Sequence, residues 1–174
     1  IWDLPDDGVP IGVAVSGPRS IDGFGPLADH LIAVEPNADF IEHWNANSET
    51  TSIGQGAALD PARAIGQIPI CWDPDRDTAV ARAHDQFRWF AGGWHVNANL
   101  PTTAAFAGAT QFVTPDDVAA NIPCGSDLDE LVDGIRPFVD AGFTDVALVQ
   151  IGGESQERFL DEAAGPLLEK LRSA

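Results

Sequence analysis

The chain has 174 residues, 44% of them hydrophobic and 21% charged, which is the composition of a folded domain with a sizeable core. Its 27 acidic residues outnumber nine basic ones and give a formal net charge of -18, which repels nucleic acid and anionic membranes. No apolar run in the sequence is as long as a membrane-spanning helix, so we expect neither nucleic acid nor a membrane as a partner.

The acidic surplus and the cysteines both bear on the cellular compartment. Lys170 is the only lysine, and a surface this acidic is typical of proteins from a salt-rich cytoplasm, where salt screens the self-repulsion. An ordinary acidic protein kept soluble by its charge is the alternative. Cys71 and Cys124 lie far apart and form no Cys-x-x-Cys motif, so we expect two reduced thiols and a cytoplasmic location.

Four short apolar runs predict β-strands, because each is rich in β-branched residues and ends at a turn signal. These runs are residues 11–15, 31–34, 67–72 and 146–151. Apolar residues at helical spacing predict helices between and after the strands, at residues 19–28, 37–44, 73–90, 128–139 and 156–172. Ser126-x-x-Asp129 resembles a capping box for the fourth helix. Residues 45–60 are predicted as a loop, and residues 92–123 as an inserted excursion with short helices.

Strands that alternate with helices predict an α/β fold with a parallel sheet covered by helices. Both an open doubly wound sheet and a (β/α)8 TIM barrel satisfy this pattern. Four units are about half of a typical barrel of roughly 250 residues. The chain contains no methionine and begins with Ile1, so we expect a fragment, either the downstream part of a longer protein or an incompletely known one. A half-barrel is therefore the favoured interpretation.

The first predicted strand ends abruptly in Ser16-Gly17-Pro18, ahead of a predicted helix. Proline pre-sets the dihedral angle of a first helical turn, and glycine allows close approach of the backbone to another molecule. Unpaired amides at such a position suit a phosphate or a carboxylate. An ordinary strand-to-helix turn is the alternative interpretation of this motif alone.

Other candidate residues follow from the same strand-end argument. In parallel barrels, functional residues gather where strands end, and Glu35, Trp72 and Gln150 occupy such positions here. We predict that these three residues line a substrate pocket. The alternatives are that Glu35 is a solvated acid at the rim and that Gln150 bonds to the loop backbone, since an unpaired buried amide is costly.

Aromatic residues and histidines are less informative. Trp89, Phe90 and Trp94 precede the excursion, where they either wall a pocket or belong to the core. The four histidines show no metal-ligand spacing, so we predict no metal site. The chain also lacks a Gly-x-Ser-x-Gly elbow and a Walker loop.

With these motifs in place, the chain resembles the luciferase-like barrel superfamily. Within it, the chain is similar to oxidoreductases that use the deazaflavin coenzyme F420, in the branch related to F420-dependent glucose-6-phosphate dehydrogenase. The resemblance covers nearly the whole chain and corresponds to the family's C-terminal half. It rests on the order and spacing of residues 15–18 (VSGP), 28–32 (ADHLI), 34–36 (VEP), 80–90, 100–102 (LPT), 118–125, 139–143 (VDAGF) and 150–152 (QIG).

The resemblance implies that residues 1–174 form a single, partial barrel domain with the family's fifth to eighth strands, and with the excursion before the last one. It implies hydride transfer by coenzyme F420 to or from a small organic substrate, and a homodimer when the protein is complete. The family's ring-binding and proton-handling residues lie on earlier strands, so the catalytic residues are expected outside this chain. The coenzyme's phosphate-bearing tail is expected on the amides around Ala14, Val15, Ser16, Gly17 and Pro18.

One departure from the family concerns the substrate. The sugar-phosphate dehydrogenases place basic residues near the sixth strand and the excursion, whereas this chain has Asn37 after Glu35-Pro36 and no lysine or arginine between Arg88 and Arg136. A phosphorylated sugar would find no charge-assisted clamp there, so we predict that glucose 6-phosphate is not the substrate. Two other functions stay open: an FMN-dependent luciferase-like monooxygenase, whose coenzyme phosphate suits the same turn, and a non-catalytic half-barrel remnant.

Overall fold

Four parallel strands form the sheet of this protein. The structure is a computed structural model, and it describes residues 9–48 and 63–173. Within these residues the sheet has the order β1-β2-β3-β4, with Val13 beside Leu31 and Leu31 beside Ala64 in the register of the first three strands. The strands are β1 (Gly12–Ala14), β2 (His30–Ala33), β3 (Ala64–Ile70) and β4 (Asp145–Gln150). The predicted α/β class with a parallel sheet is confirmed.

Helices occupy the connections between these strands and the C-terminal end of the described chain. The α-helices are α1 (Pro18–Phe24), α2 (Ala38–Ser48), α3 (Arg76–Phe87), α4 (Trp94–Asn97), α5 (Thr103–Ala109), α6 (Pro115–Ala119), α7 (Leu128–Asp140), α8 (Gln156–Phe159) and α9 (Gly165–Ser173). Short 3-10 turns cover Gly25–Leu27, Arg88–Gly92 and Gly153–Ser155, and a π-helical turn covers Leu160–Ala164. Among the described residues, no helix combines the length and the apolar character needed to cross a membrane.

Two boundaries differ from the sequence prediction for reasons visible in the structure. β3 begins at Ala64, earlier than predicted, because the main-chain N–H of Leu31 donates to the carbonyl of Arg63 at 3.0 Å and extends the pairing with β2. α2 continues to Ser48 through part of a predicted loop. There the Asn47 side chain donates to the His43 carbonyl at 2.8 Å. The rest of that predicted loop, residues 49–60, lies outside the described residues.

The helix ends show which local signals the structure uses. Asp75 caps α3, since its carboxylate accepts the Thr78 N–H at 2.7 Å, and this confirms the predicted acidic start of that helix. The capping box predicted at Ser126-x-x-Asp129 is not formed: the Asp127 side chain accepts the Asp129 N–H at 2.9 Å instead. A full capping box stands at the start of α6, where the side chains of Thr114 and Asp117 accept each other's backbone N–H.

The chain divides into two compact units. The first unit, Ile1–Gln67 with Pro137–Ala147, buries Trp44 and Ile21 in its core. Gly66 of β3 lies against the Phe138 ring, where an added Cβ would come within 2.4 Å of Phe138 Cδ1. Only glycine therefore lets the strand and the ring approach this closely.

The second unit comprises Ile68–Arg136 with Leu148–Ala174, and it contains two buried apolar clusters. One cluster joins the end of β3 to α7 and the C-terminal helices: Ile70, Trp72, Leu131, Val132, Phe159, Ala163 and Leu167. The other joins α3 to the end of the excursion: Cys71, Ala79, Ala83, Val118, Ile122, Cys124 and Ile151. These clusters hold the C-terminal end of β3, and hence the strand-end side chains described below, in a dry environment.

Candidate functional site

In the turn after β1, in the first unit, some backbone N–H groups already form hydrogen bonds within the protein. The N–H of Val15 donates to the carbonyl of Ile32 at 2.9 Å and continues the sheet ladder. The N–H of Ser16 donates to Ser20 Oγ at 3.1 Å, and this hydroxyl in turn donates to the Gly17 carbonyl at 2.7 Å. Two of the amides predicted to face the coenzyme tail are therefore engaged within the protein.

Two other N–H groups of this turn are available. Within the described residues, the backbone N–H groups of Gly17 and Arg19 have no hydrogen-bond partner, while Pro18 has no N–H to offer. Gly17 is extended, at φ 162 and ψ 176, and an added Cβ there would meet no atom within 4 Å. Nothing inside the described protein demands a glycine at this position, and no described atom fills the space beside it.

Arg19 adds a positive charge next to these donors, and the sequence prediction missed it. The Arg19 side chain forms no ion pair with an acid of the described residues, although acids outnumber bases threefold in the sequence. A cation directly after Ser-Gly-Pro in so acidic a chain is the signal that could have identified it. Two unpartnered N–H groups and a guanidinium on neighbouring residues suit an anionic oxygen.

Glu35 and Asn37 stand at the end of β2, also in the first unit. The Glu35 carboxylate is half-buried, and the described residues offer it neither a hydrogen bond nor an ion pair. The Asn37 side chain accepts the Asp39 N–H at 2.9 Å and so caps the start of α2. Asn37 thus has a structural role as a helix cap. The Glu35 carboxylate has no such role among the described residues and is able to bind a ligand.

Trp72 and Gln150 meet in the second unit, where they form a buried clamp. Gln150 Oε1 accepts the Trp72 N–H at 2.9 Å, and its Nε2 donates to the Trp72 carbonyl at 3.0 Å and to the Ile151 carbonyl at 3.2 Å. Of the two predicted alternatives for Gln150, the structure shows the bonds to the backbone. The Trp72 ring packs against Phe159, with centroids 6.2 Å apart, and is 5% exposed.

An ion pair that the sequence prediction did not identify lies beside this clamp. Arg82 of α3 donates to Asp73 at 2.7 Å, and both side chains are nearly buried, at 14% and 13% exposure. Burial raises the pKa of the Asp73 carboxyl, but the hydrogen bonds from Arg82 and the Asp75 N–H, with the charge of Arg82, lower that pKa below its usual value. The Arg82 guanidinium also lies 3.9 Å from the Cys71 sulfur.

Neither cysteine has the properties of a nucleophile. Both are free and buried. Burial raises the pKa of the Cys71 thiol, with Arg82 opposing the rise. Burial, reinforced by the neighbouring Cys71, raises the pKa of the Cys124 thiol to about 12. Both thiols are therefore protonated at neutral pH, in which form they are unreactive. The described residues also contain no group of three or more side chains able to hold a metal ion.

Comparisons with known proteins show which sequences and structures the chain is similar to. No protein-family model matches it. It is 26% identical to the F420-dependent glucose-6-phosphate dehydrogenase of Nocardia farcinica, over 99% of this chain and 52% of that protein. It is 27% identical to the protein of the same name from Amycolatopsis mediterranei, over 99% of this chain and 52% of that protein. The chain thus spans about half the length of the curated relatives it matches.

Solved structures give the fold. An F420-dependent secondary alcohol dehydrogenase, in complex with an F420-acetone adduct, superposes with a TM-score of 0.63 at 22% identity, over 86% of this chain and 45% of that chain. The coenzyme F420-dependent tetrahydromethanopterin reductase of Methanopyrus kandleri has a TM-score of 0.52 at 20% identity, over 82% and 45%. The fold is that of about half of a TIM barrel, consistent with the C-terminal half. The predicted resemblance to F420-dependent enzymes of this type is confirmed.

Proposed function

We propose that this chain is part of an oxidoreductase that uses coenzyme F420 to transfer a hydride to or from a small organic substrate. The observation that carries the proposal is the match to F420-dependent dehydrogenases over 99% of the chain. The deazaflavin ring of the coenzyme supplies the hydride chemistry when it is bound. The protein's task is to bind and orient that coenzyme and to shape a pocket for the substrate. The buried free thiols and the acidic composition support a cytoplasmic location.

The segment of Ala14, Val15, Ser16, Gly17 and Pro18 is the part of this chain that we assign to the coenzyme's phosphate-bearing tail. The geometry of the turn supports this assignment at its centre. The N–H groups of Gly17 and Arg19 have no partner in the described part of the chain, and no described atom would meet a Cβ at Gly17. Arg19 would balance the phosphate charge. Val15 and Ser16 would hold the turn in shape through their internal hydrogen bonds.

Replacement of Gly17 by Ala tests this assignment. We expect the Gly17→Ala variant of the full protein to fold normally, because the backbone there is extended and a Cβ meets no described atom. We expect its affinity for F420 to fall about tenfold, since the methyl group would occupy the space needed by the tail. Circular dichroism measures folding, and quenching of the coenzyme's fluorescence measures binding.

Gly23→Ala is the matched control, because Gly23 lies in α1 and an added Cβ there also meets nothing within 4 Å. This variant is expected to bind F420 like the wild type. Equal F420 affinity in the Gly17→Ala variant would show that the tail lies elsewhere. Binding of FMN and not of F420 by the wild-type protein would instead contradict the proposal that the coenzyme is F420. Binding of neither coenzyme would favour a non-catalytic remnant.

The substrate that we propose is not glucose 6-phosphate, although the relatives carry that name. No lysine or arginine occurs between Arg88 and Arg136, and Asn37 is occupied as the cap of α2, so a sugar phosphate would lack cationic partners there. Of the predicted pocket residues in the first unit, Glu35 keeps a carboxylate with no partner among the described residues. Trp72 and Gln150 stay our candidates in the second unit, where Gln150 accepts the Trp72 N–H.

We therefore expect the full protein to reduce F420 with glucose 6-phosphate no faster than with no sugar added. The loss of absorbance of oxidised F420 measures the rate, and the relative from Nocardia farcinica serves as the positive control. Efficient turnover of glucose 6-phosphate by the protein would refute the prediction about the substrate while leaving the coenzyme assignment in place.

A further inference from the structure

An open cavity that no part of the proposed function uses lies between the end of α3 and the excursion of the second unit. Its volume is about 500 Å³, and the residues around it come from the end of α3, the following 3-10 turn, α4 and α5. Small-molecule sites in proteins have volumes in this range and combine apolar walls with a few polar groups. The cavity lies at the C-terminal end of α3, a helix of 12 residues that is about 18 Å long.

Aromatic rings form the walls of this cavity. Trp89, Trp94 and Phe106 line it, and the Trp89 ring meets the Phe106 ring edge-on at 6.1 Å. The Phe87 and Trp89 ring centroids are 5.0 Å apart, so the Trp89 ring is packed against more than one neighbouring ring. Trp94 keeps 36% of its surface exposed. Rings fixed in this way offer faces and edges on which a flat molecule can stack.

One cation among the lining residues, Arg88, has no partner of opposite charge in the described part of the chain. Of the nine lysines and arginines of the chain, Arg88 is one of the few that form no ion pair with a described acid. Arg88 lines the cavity, and a guanidinium recognises a carboxylate through two parallel hydrogen bonds. Asp85 also lines the cavity and lacks a partner in the described residues. Its negative charge opposes that of any anion, so Arg88 can offset no more than one carboxylate on an occupant.

We propose that this cavity binds a planar aromatic molecule that carries a single carboxylate. The rings of Trp89, Trp94 and Phe106 receive the aromatic body, and Arg88 pairs with the carboxylate. The combination favours this occupant over neutral aromatic molecules, which form no ion pair with Arg88, and over aliphatic acids, which cannot stack on the rings. The proposal does not rest on the proposed coenzyme site.

Two probes of the same shape test this proposal on the full protein: 2-naphthoate, which is charged, and 2-naphthamide, which is neutral. We expect 2-naphthoate to quench tryptophan fluorescence with half-saturation below about 1 mM. In the Arg88→Gln variant its affinity should fall about tenfold, whereas the weaker binding of 2-naphthamide should not change. Arg88→Lys, which keeps the charge but not the planar fork, should give an intermediate value for 2-naphthoate.

Two further variants complete the design. Arg172→Gln removes another arginine that forms no ion pair with a described acid, at the end of α9, and should leave the binding of both probes unchanged. Trp94→Leu should weaken both probes, because it removes a ring that they share. If 2-naphthoate shows no saturable binding, or binds equally to the wild type and to Arg88→Gln, the proposal is wrong. If Arg88→Gln does not fold, the wild type is compared with Arg88→Lys instead. Equal affinity of these two proteins for 2-naphthoate would then show that the proposal is wrong.

Discussion

Replacement of Asp73 by Ala is expected to lower the free energy of unfolding by about 3 kcal/mol at pH 7, because it leaves Arg82 as an uncompensated charge in a nearly dry site. The Asp73 carboxylate is 2.7 Å from the Arg82 guanidinium, and Arg82 cannot turn freely toward water. An added Cβ at Gly152 would lie 2.4 Å from Arg82 Cδ, so the arginine stem is packed directly against that backbone. Urea unfolding of the wild type and the variant measures the difference.

The same variant should change how stability depends on pH. The pKa of the Asp73 carboxyl is lowered in the folded protein, so the folded state holds this proton less tightly than the unfolded state does. The stabilisation is therefore complete above the unfolded pKa of about 3.9 and is lost as the pH falls through the lower, folded value. The difference in the free energy of unfolding between the wild type and Asp73→Ala should be constant from neutral pH down to about pH 5. It should shrink below about pH 4.

Asp133→Ala is the control for the loss of an ion pair. Asp133 lies 3.7 Å from Arg136 on the surface of α7, and its side chain is 75% exposed. Removal of an exposed pair of this kind is expected to change the free energy of unfolding by less than about 0.5 kcal/mol. If Asp73→Ala loses as little unfolding free energy as Asp133→Ala, the Arg82 guanidinium is solvated in the variant and the predicted cost of an unpaired buried charge is wrong.

Replacement of Gln150 by Leu is the second substitution with a large expected effect, again about 3 kcal/mol. Leucine has nearly the volume of glutamine but leaves the N–H and the carbonyl of Trp72 without their partners at 2.9 and 3.0 Å. Both groups lie in a buried part of the second unit, where an unpaired polar group carries its full desolvation cost. Urea unfolding measures the stability, and the near-ultraviolet circular dichroism of tryptophan reports on the surroundings of Trp72.

Gln67→Leu is the matched control for this substitution, since Gln67 is exposed on β3 and its replacement should change the stability by less than about 0.5 kcal/mol. The pair of variants also decides between the two roles predicted for Gln150. If Gln150→Leu keeps the wild-type stability while substrate turnover falls in the full protein, the clamp is dispensable and the amide serves the substrate instead.

The local features of the fold were predictable because consecutive residues carry them. Apolar spacing predicted the strands and the long helices to within a few residues. Gly142, with φ 91, follows the end of α7 as predicted for a glycine that stops a helix. The capping prediction at Ser126 was wrong because Asp127, one residue closer to the helix, offers a competing acceptor. Where several short polar side chains follow one another, the sequence pattern alone does not indicate which of them caps the helix.

The sequence by itself determined the alternation of strands and helices, the acidic surface and the likeness to F420-dependent luciferase-like enzymes. Only the tertiary structure decided which polar groups are occupied: Ser16 bonds to Ser20, and Gln150 bonds to Trp72. It also decided that Arg88 lines a cavity with Trp89. The physical reason is that periodicity is a property of neighbouring residues, whereas a hydrogen-bond partner is whichever group packing brings to about 3 Å, at a net gain near 1 kcal/mol.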